Sequence, residues 1–388
     1  MSDFQKVLSL LLKGSRLKQP FLYDGSKVNF KDDLQERFSN YLKRINKMSV
    51  NEGPIESYLF SKKDELNELI QNLMYSLDDY LSGSAGKAYS RFELLMELPI
   101  VKDNISKIIY NLKDLLIDKL NIGKESLYRV RCSNFELKTR QEMFHIPFNL
   151  RHLVGTQRYS IAGLPCLYLG SSIYVCWQEM GKPELDKMYI SKYEYKGIEN
   201  KKIINFAYSL ETLKYPEESL ENFFLSDDSR TEINRQIAYL VMYPLLMACS
   251  YNRAFNGGSF NIEYIIPNLF LQWISKEKST VSGISYFSTK TLQLRHSKIG
   301  VNFVFPPDSN SSKLSGFCEK LEQDFYLSKP ISWQLLDTIN DEFGLEKNKG
   351  LGYGNLEEYF VTNYKFTKFH KVENIMDSFL VDKVSSFS

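Results

Sequence analysis

Near Gly123 the hydrophobic pattern of this chain changes period, and that change limits what it can fold into. Before it, apolar residues recur at helical spacing. In the run at 104–120, Ile105, Ile108, Ile109, Leu112, Leu115, Leu116 and Leu120 fall on one stripe, which predicts an amphipathic helix. Leu66, Leu69, Ile70 and Leu73 form a similar stripe, and SGSAGK (82–87) predicts a break between helices. Gly123 follows the last periodic residue as a helix stop. After it, LYRVRC, CLYLG, KIINFA, GISYFS and GVNFVF alternate as strands do. Two apolar helices lie between them, at 233–251 and 263–276, with Pro244 and Pro267 kinking or starting helical segments. A Ser/Asn/Asp run at 308–312 predicts a loop, then helices at 313–325 and 332–343, then a loosely structured tail. The expectation is an α+β core with a helical N-terminal domain (1–122) and a helical C-terminal extension (308–388) packed on it.

The 388 residues favour more than one domain, and 43% hydrophobic content supports a sizeable core. A net charge of +2 gives no reason to expect nucleic acid or an anionic membrane as partner. No apolar run reaches the ~20 residues of a membrane helix, and the N-terminus reads as an amphipathic helix, not a signal peptide. Five scattered cysteines (Cys132, Cys166, Cys176, Cys249 and Cys318) point to reduced thiols and a cytoplasmic location.

Several motifs fail on their mechanics. GSAGKA (83–88) is too short for a phosphate loop and has Ala88 where Ser or Thr would hold magnesium. KGLGYGN (349–355) has no strand–turn–helix context. His145 and His152 lack zinc-site spacing and there is no CxxC, so no metal site is expected. There is no GxSxG elbow either.

One constellation survives. On LYRVRC, alternation puts Tyr128, Val130 and Cys132 on a core face and Leu127, Arg129 and Arg131 on the other. Those arginines are either solvated or face a phosphate, which a guanidinium fork binds bidentately. On CLYLG, Tyr168 shares a face with Gly170, which leaves room for a ligand near the backbone or belongs to a core tyrosine. In the next helix Ile173, Cys176, Trp177 and Met180 form the expected buried stripe, with Glu179 about 60° from Cys176 at roughly 100° per residue. Glu179 there is a surface charge or a pocket carboxylate. On GISYFS, Ser288 alternates with Ile284 and Tyr286.

In this order, LYRVR, QRYS, LPCLYLGSSIYVCWQE, GISYFSTK and VNFVF resemble the RES family, over roughly residues 124–306. The family's first-strand arginine maps to Arg129, its second arginine to Arg158, its tyrosine and glutamate to Tyr168 and Glu179, and the serine of its Y-x-S strand to Ser288. Arg131 and Arg151 compete with Arg158 for the second role, and the linker at 144–155 is longer than in compact relatives. The resemblance implies an ADP-ribosyltransferase-like split mixed sheet at 123–307 that binds NAD as substrate. It implies Arg129, Tyr168, Glu179 and Ser288 as catalytic residues, and Arg129, Arg158, Tyr168 and Ser288 as NAD contacts. The implied activity is that of a toxin or defence effector cleaving the nicotinamide–ribose bond, by hydrolysis or with inorganic phosphate. The alternatives are ADP-ribose transfer to a macromolecular target and a non-catalytic NAD sensor. An antitoxin, or self-association through the N-terminal helices, would supply control.

Overall fold

The computed structural model describes residues 2–14, 16–49, 53–116, 126–214, 229–255, 260–276, 281–290, 298–308, 315–342 and 364–385. Gly123, Leu120 and the 349–355 glycines lie outside them. The fold is α+β, in two compact units that follow contact rather than chain order. Among the described residues no helix is long and apolar enough to cross a membrane.

The first unit comprises residues 1–110, 156–161 and 204–281 and is largely helical. Its helices start where the sequence caps them. Ser2 accepts the Gln5 N–H, Asn29 accepts the Asp32 N–H, and Pro54, Pro99 and Pro244 occupy first-turn positions that need no donor. The stripe from Leu66 to Leu73 is buried as its spacing predicts. Gly83, at φ +86°, turns the chain between Lys63–Leu81 and Ala85–Met96. The apolar stretch at 233–251 divides at Met242 into Ser229–Val241 and Tyr243–Cys249, as Pro244 requires.

The stripe at 104–120 does not form the expected helix. Helix Pro99–Ile105 ends there, a 3-10 turn follows at Ser106–Ile108, and strand β1 occupies Ile109–Asn111. Ile105, Ile108, Tyr110, Leu112, Leu115 and Leu116 are all buried. Burial was what the spacing demanded; it is met at Ile108 in the 3-10 turn, at Tyr110 in the strand, where an aromatic side chain suits an extended backbone, and at Leu112 where helix resumes at Leu112–Asp114.

The second unit comprises residues 111–155, 162–203 and 282–388. The other strands are β2 (Leu127–Cys132), β3 (Leu167–Gly170), β4 (Met188–Tyr195), β5 (Lys202–Phe206), β6 (Gly283–Phe287), β7 (Val301–Phe305), β8 (Phe325–Leu327) and β9 (Ile331–Ser332). All five strands read from alternation are present. Within the unit the order is β6-β7-β3-β2-β4-β8, with β9 also on β4, and these pairs are antiparallel. β2 pairs with β4 along its whole length, from Leu127 opposite Tyr193 to Cys132 opposite Met188. Against β3 it has a single register pair, Tyr128 opposite Gly170. The sheet therefore opens between β2 and β3.

Strand β4 escaped the sequence reading because Lys192 and Glu194 interrupt its apolar pattern. Lys192 is nevertheless buried, its ammonium donating to the Asp377 carbonyl at 3.1 Å and pairing with Glu194 at 3.2 Å. Of the helix expected at 313–325, the described residues from 315 on show only Glu319–Asp324, which runs into β8. The tail expected to be loose contains helix Lys368–Asp377, capped by Thr367. That helix and Trp333–Glu342 close a core over β2 and β4: Tyr128, Val130, Met188, Ile190, Trp333, Leu336, Val372 and Met376 pack together with Ile173.

Candidate functional site

The site is built on one face of β3, β7 and β6. Register places Tyr286, Asn302 and Gly170 in one row across the three strands, and Ile284, Val304 and Tyr168 in the next. Residues directly opposite in an antiparallel ladder share a face. Ser288 extends that face beyond β6, its N–H still bonded to the Gly300 carbonyl at 2.9 Å.

Helix Ile173–Glu179 lies on this face and carries Glu179 to the same end of it. Ser172 caps the helix, accepting the Val175 N–H at 3.0 Å and donating to the Ile299 carbonyl at 2.7 Å. The helix sits very close to β3. A Cβ on Gly170 would meet Cys176 Sγ and Val175 Cγ1, each at 2.6 Å. Gly170 therefore admits the helix, and the room expected there for a ligand is filled. Most of the helix is buried, including Ile173, Tyr174, Val175 and Gln178, while Met180, expected in the stripe, is 47% exposed. Burial pushes the Cys176 thiol up to about 12, so it stays protonated at neutral pH.

Glu179 Oε1 accepts two hydrogen bonds, from Ser288 Oγ at 2.6 Å and from Asn302 Nδ2 at 2.8 Å. The Lys290 N–H donates to Ser288 Oγ at 3.2 Å, which leaves the serine proton aimed at the carboxylate. The Lys290 ammonium donates to the Glu179 main-chain carbonyl and lies 3.7 Å from Oε2. One carboxylate oxygen is thus fixed by neutral donors, and the other faces a partly exposed cation.

Tyr168 is half-buried in the adjoining row. Burial, and then the nearby Cys166 and Tyr286, drive its phenol well above the usual range, with Arg129 opposing. It offers a ring and a neutral hydroxyl, not a base. Arg129, one residue past Tyr128, projects from the opposite face of β2 by register, and its Nη1 donates to the Tyr168 carbonyl at 3.3 Å. That carbonyl is accessible to a side chain because the two strands part there. Arg131 donates to the Phe144 carbonyl at 3.0 Å, and burial together with Arg129 lowers it to about 10. Arg151 donates to the Gly163 carbonyl at 2.9 Å and lies over the Phe148 ring.

Arg158 belongs to the first unit. It is buried, donates to the carbonyls of Cys249 at 3.0 Å and Tyr251 at 2.7 Å, and lies over the Tyr264 ring. Its guanidinium serves backbone oxygens in that unit. Of the expected residues, the second unit assembles Glu179, Ser288 and Tyr168 on one face, with Arg129 at the opening between strands. Sequence reading missed Asn302 and Lys290. Asn302 is the one polar residue of VNFVF, which marks it as unusual for a buried strand. Lys290 follows Ser288 in STK and left no periodic signal.

Among the described residues no group of three or more His, Cys, Asp or Glu side chains is arranged to hold a metal. The arrangement has another capacity: a carboxylate held by fixed donors stabilises a positive charge that forms beside it.

The fold and site define an α+β protein with an oriented carboxylate at the end of a sheet face. No family model matches the chain, and no solved structure does. It is similar to the candidate toxin YopC of Bacillus subtilis (strain 168), with 31% identity over 312 residues, 79% of this chain and 67% of that one. The chain belongs to the YopC family.

Proposed function

We propose that this protein is a toxin that cleaves the nicotinamide–ribose bond of NAD, with an ADP-ribosyltransferase-like second unit. The carrying observation is Glu179 held by Ser288 and Asn302 at the end of the Tyr168 face. Toxicity is supported by the YopC relative, and the cleavage chemistry by the RES-like order of Arg129, Tyr168, Glu179 and Ser288.

The chemistry suits a site with a single carboxylate. The ribose C1′–N bond breaks with its electron pair leaving on nicotinamide, which departs neutral because the ring was cationic. No general acid is needed. The sugar is left as an oxocarbenium ion, as in glycoside cleavage. Glu179 stabilises that cation through Oε2 and holds a ribose hydroxyl, while Ser288 and Asn302 keep Oε1 from rotating away. Tyr168 presents a flat aromatic face to a ring, and Arg129, whose guanidinium reaches the opening between β2 and β3, is offered to a diphosphate or incoming inorganic phosphate that extends to that opening. Water then adds to C1′ and loses a proton to solvent, or a phosphate oxygen adds directly.

The test is incubation of the pure full-length protein with NAD, with and without phosphate, and identification of the products. Nicotinamide should appear, and Glu179→Ala should stop its release. NAD left intact by the wild-type protein under both conditions would overturn the proposal.

A further inference from the structure

We propose that Lys290 gates Glu179 and selects substrates that carry an anionic group beside the nicotinamide ribose. The inference rests on the reading of Glu179 as the residue facing the reacting sugar.

The Lys290 ammonium lies 3.7 Å from Glu179 Oε2, the oxygen that Ser288 and Asn302 do not hold. An oxocarbenium ion needs that oxygen's negative charge. The ammonium competes for it and repels any cation forming next to it. Glu179 is therefore compensated while Lys290 stays in place.

To leave Oε2 the Lys290 ammonium must also give up its hydrogen bond to the Glu179 main-chain carbonyl, which a phosphate oxygen can replace. The lysine side chain is 31% exposed, as is that of Glu179, and it is a compact charge on a flexible four-carbon stem. Its backbone is tethered through its N–H to Ser288, so the ammonium swings while the residue stays beside the site. A substrate with a diphosphate supplies an alternative anionic partner. Moving the ammonium from Oε2 to a phosphate oxygen restores the charge of Glu179 as the substrate is bound. A substrate lacking phosphate offers no such partner and leaves the carboxylate compensated. The substrate class is thus a nicotinamide nucleotide and not a nucleoside.

The experiment compares NAD with nicotinamide riboside, which has the same scissile bond and no phosphate. For Lys290→Ala, kcat/KM for NAD should fall roughly tenfold, mainly through KM, on loss of one charge-assisted contact. For nicotinamide riboside it should rise, and Lys290→Arg should restore the preference for NAD. Both substrates losing activity by the same factor would overturn the gate, since that is what a merely structural lysine predicts. Calorimetry with NAD on Glu179→Gln separates the two readings. In that background Lys290→Ala should weaken NAD binding by a similar factor. Lysine-dependent binding by a protein whose wild type releases no nicotinamide would retain the anion contact and reject cleavage. Binding indifferent to Lys290 would reject the gate, whatever the turnover.

Discussion

At the scale of single residues, the site depends on which atoms are already committed. Glu179 has one oxygen fixed by Ser288 and Asn302. Asn302→Leu keeps the volume and removes a donor, so turnover should fall on the order of a hundredfold while KM for NAD changes little. Turnover equal to wild type would show that Ser288 alone orients the carboxylate. His145 shows a different commitment. It is fully buried, its Nε2 accepts the Cys318 N–H at 2.9 Å, and its Nδ1 lies 2.8 Å from the Ile146 carbonyl. Nδ1 therefore carries the proton of a neutral ring. Burial, helped by Arg129, Arg131 and Arg151, lowers this histidine to about 4. Unfolded, it titrates near ~6.5. Between those values the unfolded chain binds more protons, so stability is full above the unfolded value and is lost as pH falls toward 4. The loss attributable to His145 is about 3 kcal/mol. Urea unfolding of His145→Gln across this range should show a shallower decline than wild type, and parallel curves would remove His145 as the cause. Both ring nitrogens being engaged also explains why a histidine in so basic a neighbourhood is a packing residue.

At the scale of elements, the short helix Ile173–Glu179 is fastened at its N-terminus by two side chains. Ser172 supplies its N-cap, and the buried Glu373 accepts the Ile173 N–H at 2.7 Å and the Tyr364 hydroxyl at 2.7 Å. Seven residues are too few for a helix to persist alone, so its stability comes from these partners and from packing. Ser172→Ala should cost about 1 kcal/mol. Glu373→Ala should cost about 1–3 kcal/mol by leaving buried donors without an acceptor, and Glu373→Gln, which still accepts, should cost less. Equal melting temperatures for the two Glu373 variants would show that charge, not hydrogen bonding, holds the helix. Gly170→Ala should be destabilising by roughly 1–3 kcal/mol, because Cys176 and Val175 already fill the space. The helix was legible in the sequence through its apolar spacing. Its fastening was not, because Glu373 lies 200 residues away in a segment that reads as a loose tail.

At the scale of the whole molecule, the two arginines expected to bind phosphate fall in different units. Arg129 stands at the opening of the second unit's sheet, and Arg158 is built into the first unit. Arg158→Met should destabilise the protein by about 2–4 kcal/mol, the bonds to the Cys249 and Tyr251 carbonyls being among those lost, and so lower its melting temperature. NAD cleavage measured below the new melting point should continue, and its abolition in a folded variant would return Arg158 to the site. Induced expression of the whole chain should arrest growth, and Glu179→Ala should relieve the arrest; persistent arrest with that variant would place toxicity elsewhere. The sequence alone determined the α+β class, five strands, the buried stripe from Leu66 to Leu73 and the break at Pro244. These are local properties: side-chain period follows from the geometry of a single helix or strand. Tyr168, Glu179 and Ser288 were singled out by their order along the chain, through the resemblance it carries. Only the tertiary structure decided that 104–120 contains a strand, that the sheet opens between β2 and β3, and that Asn302 and Lys290 join Glu179. Glu179 meets Ser288 and Asn302 across 109 and 123 residues of chain. Strand register and helix docking set such meetings, and both are settled by packing among distant segments, which periodicity within any one of them does not encode.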